Sequence, residues 1–450
     1  MSNQNALFDD EFDFGDDVDD GGDLVDQLTG PAEEAVPGKA TGDVELPPME
    51  AYEGGDRAIP AISVMAFCES DRVSDIISRV RSDRRMANAS VEVATGGIPA
   101  AIEHLAAHST PNLLIVESSA PSGSMLQQID ELASHCEEGV EVMVIGATND
   151  ISLYRQLVAR GVSEYLVPPI EPVQMVRSIG NIFTDPDSPF VGKSISVVGA
   201  KGGVGASTIA HNLAWSLAEN ARVSTSLVDL DLSFGTTSLD FNQESQQTIA
   251  DALLAPDRAD DAVISRLLSK ATDRLSLFTA PASVNQIMDI DTEAYSLVIE
   301  GVRRLMPYVV LDLPHGWSEW IYSTLMTSDE VILVCQPDLA SLRNGKNMLD
   351  QLKSQRPNDR PPRLVINMMG VPKRPEIPIK DFAAAIEAEP EIVLPFDPHL
   401  FGTASNKGQM ISEAEPQSKS ALAIDELASM LSGRETVQPE KSLLKKLLGK

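Results

Sequence analysis

Short apolar runs recur along most of this chain, separated by stretches whose apolar positions fall three and four residues apart. Between residues 61 and 184 the runs 62–67, 91–94, 112–116, 141–145 and 164–167 read as strands, with helical spacing in the gaps. Such alternation predicts a parallel sheet covered by helices on both faces, because strands buried on both sides read as continuous apolar runs. A second α/β unit begins at Lys193, with strands expected at 194–198, 223–230, 275–279, 308–313, 330–335, 363–367 and 392–395. Residues 183–192, which contain prolines, are the expected linker, and no solenoid repeat is found. Ahead of both units, residues 1–60 lack sustained apolar periodicity. They hold seventeen acids against Lys39 and Arg57, a net of −15, and this composition predicts disorder. Within them Leu7, Phe8, Phe12 and Phe14 form small apolar islands among acids.

At 450 residues the chain exceeds one compact core. No apolar run approaches the roughly 20 residues that span a bilayer. The acidic start carries no basic end followed by an apolar stretch, so a cytoplasmic location is expected. Cys68, Cys136 and Cys335 are scattered without metal-ligand spacing, as in a reducing compartment. The net charge of −32 argues against broad nucleic-acid binding, which needs clustered Lys and Arg. One local exception is the tail 441–450. Its Leu443, Leu444, Leu447 and Leu448 share a helical face beside Lys445, Lys446 and Lys450, a pattern suited to an anionic membrane surface.

The chemistry concentrates after the first strand of the second unit. Gly199-Ala-Lys-Gly-Gly-Val-Gly-Ala-Ser-Thr208 follows an apolar run and precedes a helical pattern, the context in which a glycine loop turns successive N–H groups toward phosphate. Ser207 is placed to hold Mg²⁺. Asp229 and Asp231 lie two apart at the end of the next strand, so both carboxylates face one side. Asp312 closes the apolar strand Tyr-Val-Val-Leu-Asp and offers a hard oxygen for a hard ion. His315 beyond it reads as a loop residue. Asn367 ends a late strand with a donor and an acceptor suited to a purine edge. Pro395 and Asp397 lie at the end of the strand after it.

These pieces, in this order, resemble the deviant Walker A ATPases of the ParA/MinD superfamily. The resemblance implies a dimerising ATPase using ATP and Mg²⁺, with the nucleotide contacted by Gly202, Gly203, Val204, Gly205, Ala206, Ser207 and Thr208. It implies that Lys201 reaches across a homodimer to the partner's nucleotide, that Asp231 orients the attacking water, and that Asp229 supports the site. Asp312 then acts on Mg²⁺ through water, and Asn367, Pro395 and Asp397 lie on the base side. Ala206 stands where the ordinary P-loop lysine is expected, a departure that bears on hydrolysis more than on binding.

The front unit resembles a receiver domain (flavodoxin-like), with Glu69 and Asp71 near the metal-binding acids and Thr148 at the hydroxyl position. Glu117 stands in place of the phosphorylated aspartate and Val167 in place of the lysine, so a docking or dimerising role is expected instead of phosphorelay. An atypical receiver fused to such an ATPase resembles the CpaE/TadZ family, which localises Flp-type (tight adherence) pilus assembly. The expected organisation is an acidic tail (1–60), a receiver-like domain (61–185), a P-loop ATPase domain (193–432) and a linker with an amphipathic tail (433–450). The resemblance implies a scaffold at the inner membrane or cell pole, partnered by the pilus secretion ATPase. A partition ATPase acting on DNA is the other reading, and a basic patch would mark it.

Overall fold

The computed structural model describes residues 59–137, 139–183, 191–243, 247–284 and 288–434. Strands β1 (Ser63–Cys68), β2 (Ser90–Thr95), β3 (Leu113–Ser118), β4 (Glu141–Gly146) and β5 (Glu164–Leu166) pair in the order β2-β1-β3-β4-β5, all parallel. That order is the doubly wound, flavodoxin-like one. Alternate residues of β1 and β3 face opposite ways. Val64, Ala66, Leu113 and Ile115 pack with Val73, Ile77, Met175 and Ile179 from the helices Asp71–Arg81 and Pro172–Ile182. On the other face Phe67, Leu114 and Val116 meet Ile98, Met125 and Leu157 from three further helices. The expected receiver-like layering is therefore present. The acidic segment 1–58 and the amphipathic segment 441–450 lie outside the described residues, as do residues 184–190 of the expected linker.

The second sheet holds β6 (Lys193–Gly199), β7 (Thr225–Asp229), β8 (Ser269–Lys270), β9 (Leu275–Phe278), β10 (Tyr308–Asp312), β11 (Glu330–Cys335), β12 (Arg363–Met369) and β13 (Pro390–Pro395). Their order is β13-β12-β11-β6-β10-β7-β9-β8, and every pair except β8 with β9 is parallel. Two-residue β8 was not expected; it is too short to carry a period. The strand expected from residue 223 starts at Thr225, because Arg222 takes φ +56° and the Val223 N–H donates to the Leu217 carbonyl. Central β6 sends Ile195 and Val197 to one core layer and Val198 to the other. Fully burying such a side chain contributes about 1.5–3 kcal/mol, which is why these runs occupy the middle of the sheet. Loops from the carboxyl ends of β6, β7, β10, β11, β12 and β13 all open on one rim, where parallel sheets bind ligands.

Arg84 and Arg85 of the first fold meet Asp359 of the second at 2.8 and 2.9 Å, and Arg356 binds the same carboxylate at 2.7 Å. Asn358 donates to the Arg79 carbonyl and to Asp83. Among the described residues no helix is long and apolar enough to cross a membrane.

Candidate nucleotide site

β6 ends at Gly199, and the helix Ala206–Trp215 starts at Ala206, leaving a tight loop between them. Gly203 (φ +76°) and Gly205 (φ +86°) take the left-handed region that favours glycine, so the loop can reverse its peptide planes over a few residues. The helix start supplies N–H groups without an intrahelical acceptor at Ala206, Ser207 and Thr208. Lys201 does not stand free: its ammonium pairs with Asp338 at 2.7 Å, and both side chains are about a quarter to a third exposed. Burial works against the Asp338 charge, but Lys201 and the Ser341 N–H hold its carboxyl below the usual range.

The parallel register sets Asp312 of β10 directly beside Asp229 of β7. Asp229 is fully buried; its carboxylate accepts from the backbone N–H groups of Asp231 (3.1 Å) and Thr237 (3.2 Å). Burial, then the nearby charge of Asp312, push its pKa up to about 6. A side chain at Gly235 would collide with the Asp229 carboxylate, so glycine is required there. Asp231 is half-buried and accepts from the Phe234 N–H at 3.0 Å, shaping its own loop.

Sequence reasoning missed His211. It lies fully buried on the helix after the glycine loop, with Nδ1 2.9 Å from Asp240, and Nε2 3.0 Å from Thr237 Oγ1 and 3.3 Å from Asp312 Oδ2. Burial alone would lower its pKa, yet the bonds to Asp240 and Asp312 and the charges of Asp312 and Asp229 raise it to about 10. Its imidazolium therefore offsets two buried acids. The signal in the sequence was a pair of polar residues, His211 and Asn212, inside the apolar face Ile209, Ala210, Leu213, Ala214.

Asp312 Oδ1 is buried without a hydrogen-bond partner. A hard oxygen left unsatisfied beside a second carboxylate fits a hydrated divalent cation; His211 has a ring nitrogen within 4.8 Å of both carboxylates, but as an imidazolium bonded through both nitrogens it offers a metal no lone pair. The residues expected on the base side lie together: Asn367, Pro395 and Asp397 line a cavity of about 100 Å³ with Thr208, Met368 and Phe396. Within it Asp397 caps its own helix by accepting from the Leu400 N–H at 2.9 Å. Asn367 donates to the Val204 carbonyl and accepts from the Met368 N–H. His315, read as a loop residue, is exposed, with Nδ1 3.2 Å from the Gly199 carbonyl.

A mostly parallel sheet whose central strand feeds a glycine loop and helix, flanked by strand-end acids, defines a P-loop NTPase fold of the ParA/MinD type. The AAA domain family matches residues 192–361. The chain is 40% identical to the pilus assembly protein CpaE of Caulobacter crescentus, over 98% of that structure and 29% of this chain, at a TM-score of 0.28. It is 37% identical to the CpaE2 structure from Sinorhizobium meliloti, over 99% of that structure and 27% of this chain, at a TM-score of 0.27. It is 25% identical to the septum site-determining protein MinD of Helicobacter pylori, over 50% of this chain and 86% of that protein. By its identity to nearly the whole of both CpaE structures, this chain belongs to the CpaE family of pilus assembly proteins, and its AAA domain puts it within the ParA/MinD superfamily.

Proposed function

We propose that the chain binds ATP with Mg²⁺, dimerises on it, and serves as a positioning scaffold for Flp/Tad-type pilus assembly at the inner membrane, hydrolysing ATP slowly. The observation that carries this is the convergence of a left-handed glycine loop, the start of a helix, and Asp229, Asp231 and Asp312 on one rim. In this reading residues 202–208 hold the phosphates, Ser207 and Asp312 hold the metal, and Asn367, Pro395 and Asp397 lie on the base side. Bound Mg²⁺ would supply charge neutralisation on the phosphate oxygens. Asp231, at the mouth of the loop, orients water, and Asp229 holds that loop through the Asp231 and Thr237 N–H groups. Lys201 contributes to a partner's site once it leaves Asp338. With alanine at position 206, no lysine stands between the terminal phosphates, which supports slow turnover.

The receiver-like unit (61–185) is proposed as the docking module for pilus secretion components and the ATPase unit (193–432) as the switch. In the first, Glu117 accepts from the Glu69 and Ser70 N–H groups at 2.7 and 2.8 Å and from the Ser70 hydroxyl at 2.7 Å. That carboxylate is fully engaged within the protein, which favours docking over phosphorelay. The tail 441–450 is proposed to bind an anionic membrane marginally as one copy and firmly as two, since a dimer raises the effective concentration of the second tail.

The test is equilibrium ATP binding, steady-state ATPase and sedimentation of the full chain beside Lys201→Ala, Asp231→Ala and Ala206→Lys. Lys201→Ala is expected to lose ATP-dependent dimerisation, Asp231→Ala to lose turnover while keeping affinity, and Ala206→Lys to gain turnover. Full-length chain that binds no adenine nucleotide with Mg²⁺ present ends this reading. Liposome flotation that is unchanged on removing residues 441–450 ends the membrane part.

A further inference from the structure

Three carbonyls of the glycine loop are each held from outside by a side-chain amide. Asn344 Nδ2 donates to the Ala200 carbonyl at 3.0 Å, Gln336 Nε2 to Gly203 at 3.0 Å, and Asn367 Nδ2 to Val204 at 2.8 Å. The amide oxygens face donors in turn: Arg343 Nε for Asn344, Arg374 Nη1 for Gln336, and the Met368 N–H for Asn367. With each oxygen so engaged, the NH₂ end of every amide is the one turned to the loop. Gln336 and Asn367 are only 7% and 4% exposed, so neither competes with water for its contact.

A trans peptide sets its C=O and the following N–H on opposite sides. Fixing the Ala200, Gly203 and Val204 carbonyls against these amides therefore turns the Lys201, Val204 and Gly205 N–H groups to the far side of the loop. The left-handed Gly203 and Gly205 make that alternation possible. An anion site built from backbone N–H groups gains most from being set before the anion arrives, and the need is greater with alanine at position 206, where a lysine's point charge is missing.

We propose that Gln336, Asn344 and Asn367 are positioning residues that hold the loop in its phosphate-binding shape ahead of the nucleotide. Asn367, on the base side of the site, then acts on the phosphate loop as well. This rests on the reading that the loop binds ATP.

The experiment uses the full-length chain and its Asn344→Ala, Gln336→Met and Asn367→Asp variants, probed with a fluorescent ATP analogue and with inorganic tripolyphosphate, both with Mg²⁺. Asn344 is half-buried on a helix face, so its alanine variant keeps the fold, and ligand-free melting checks the other two. Each variant is expected to lose about 3- to 10-fold in affinity for both ligands, the range of one hydrogen bond. Hydrogen exchange of the 201–205 amides in ligand-free protein is expected to quicken as well. Loss of ATP affinity alone in Asn367→Asp, with tripolyphosphate binding and loop exchange unchanged, overturns the assignment and returns Asn367 to the base. Unchanged affinities and exchange in all three variants overturn it outright. Wild-type protein that binds neither ligand instead removes the ATP reading beneath it.

Discussion

At the scale of single residues, the site is governed by how buried charges are matched. His211 has an ordinary pKa of 6.5 and is raised to about 10 in the fold, so its added stability is fully present below about 6.5 and is lost as pH rises through 10. Asp229, raised from 3.8 to about 6, has the same sign in a lower window: its favourable contribution is complete below about 3.8 and gone above 6. Thermal unfolding of the chain in EDTA should therefore show a midpoint that falls between pH 6.5 and 10, and His211→Gln should flatten that fall. Gly235 makes a steric prediction: a methyl added there would press on the Asp229 carboxylate and on Ala280, so Gly235→Ala should cost about 1–3 kcal/mol in urea unfolding. Asp338 makes a functional one. Asparagine caps a helix as well as aspartate does, so Asp338→Asn keeps the bond to the Ser341 N–H while releasing Lys201. A partly exposed ion pair is worth about 0.2–1 kcal/mol; sedimentation with ATP should find the dimer at lower protein concentration, by about 1.4- to 5-fold for each of the two pairs released.

At the scale of elements, helix starts carry the polar wiring. The helix Asp71–Arg81 is capped by Ser70, which accepts from the Val73 N–H, and Glu117 at the end of β3 binds the Ser70 hydroxyl and two N–H groups around it. Bonds to a charged group are worth about 1.5–3 kcal/mol, so Glu117→Ala should lower unfolding free energy by about that amount. Urea titration followed by circular dichroism checks it. This capping role was not legible in the sequence, where Glu117 stood out only as a substitute for an aspartate. The strands were legible because burial on both faces writes itself as an unbroken apolar run, and β11 falls at 330–335 as expected. The strand-end acids were legible for the same reason, since each closes such a run. What could not be read were partners distant in sequence: Asp338 for Lys201, Asp240 for His211, Gln336 for Gly203. Those pairings depend on strand order, and the placement of β6 between β10 and β11 is a tertiary outcome. Two-residue β8 was invisible because it has no period to detect.

At the scale of the whole molecule, the two folds share one buried charge cluster, and their unfolding should be tied through it. The side chain of Asp359 is 7% exposed and binds Arg84 and Arg85 of the first fold as well as Arg356 of the second. Burial works against its charge, yet Arg84, Arg356 and Arg85 hold its carboxyl below the usual range. Arg84 also donates to the Thr327 and Ser328 carbonyls, and Arg356 to Leu325 and Ser328, so both guanidinium groups cap the helix Glu319–Thr327. That helix begins seven residues after Asp312, beyond the loop that follows β10. Removing one partner of a buried ion cluster costs about 3–5 kcal/mol, and here the loss falls on the seam between two separate cores. All three tryptophans, Trp215, Trp317 and Trp320, belong to the second fold, so their fluorescence reports it alone, whereas far-ultraviolet circular dichroism reports both. In wild-type protein the two probes should give coincident urea transitions. In Asp359→Ala they should separate, because the smaller fold loses its anchor and unfolds first while the tryptophans stay in place. Coincident transitions in that variant would mean that the charge cluster does not couple the folds.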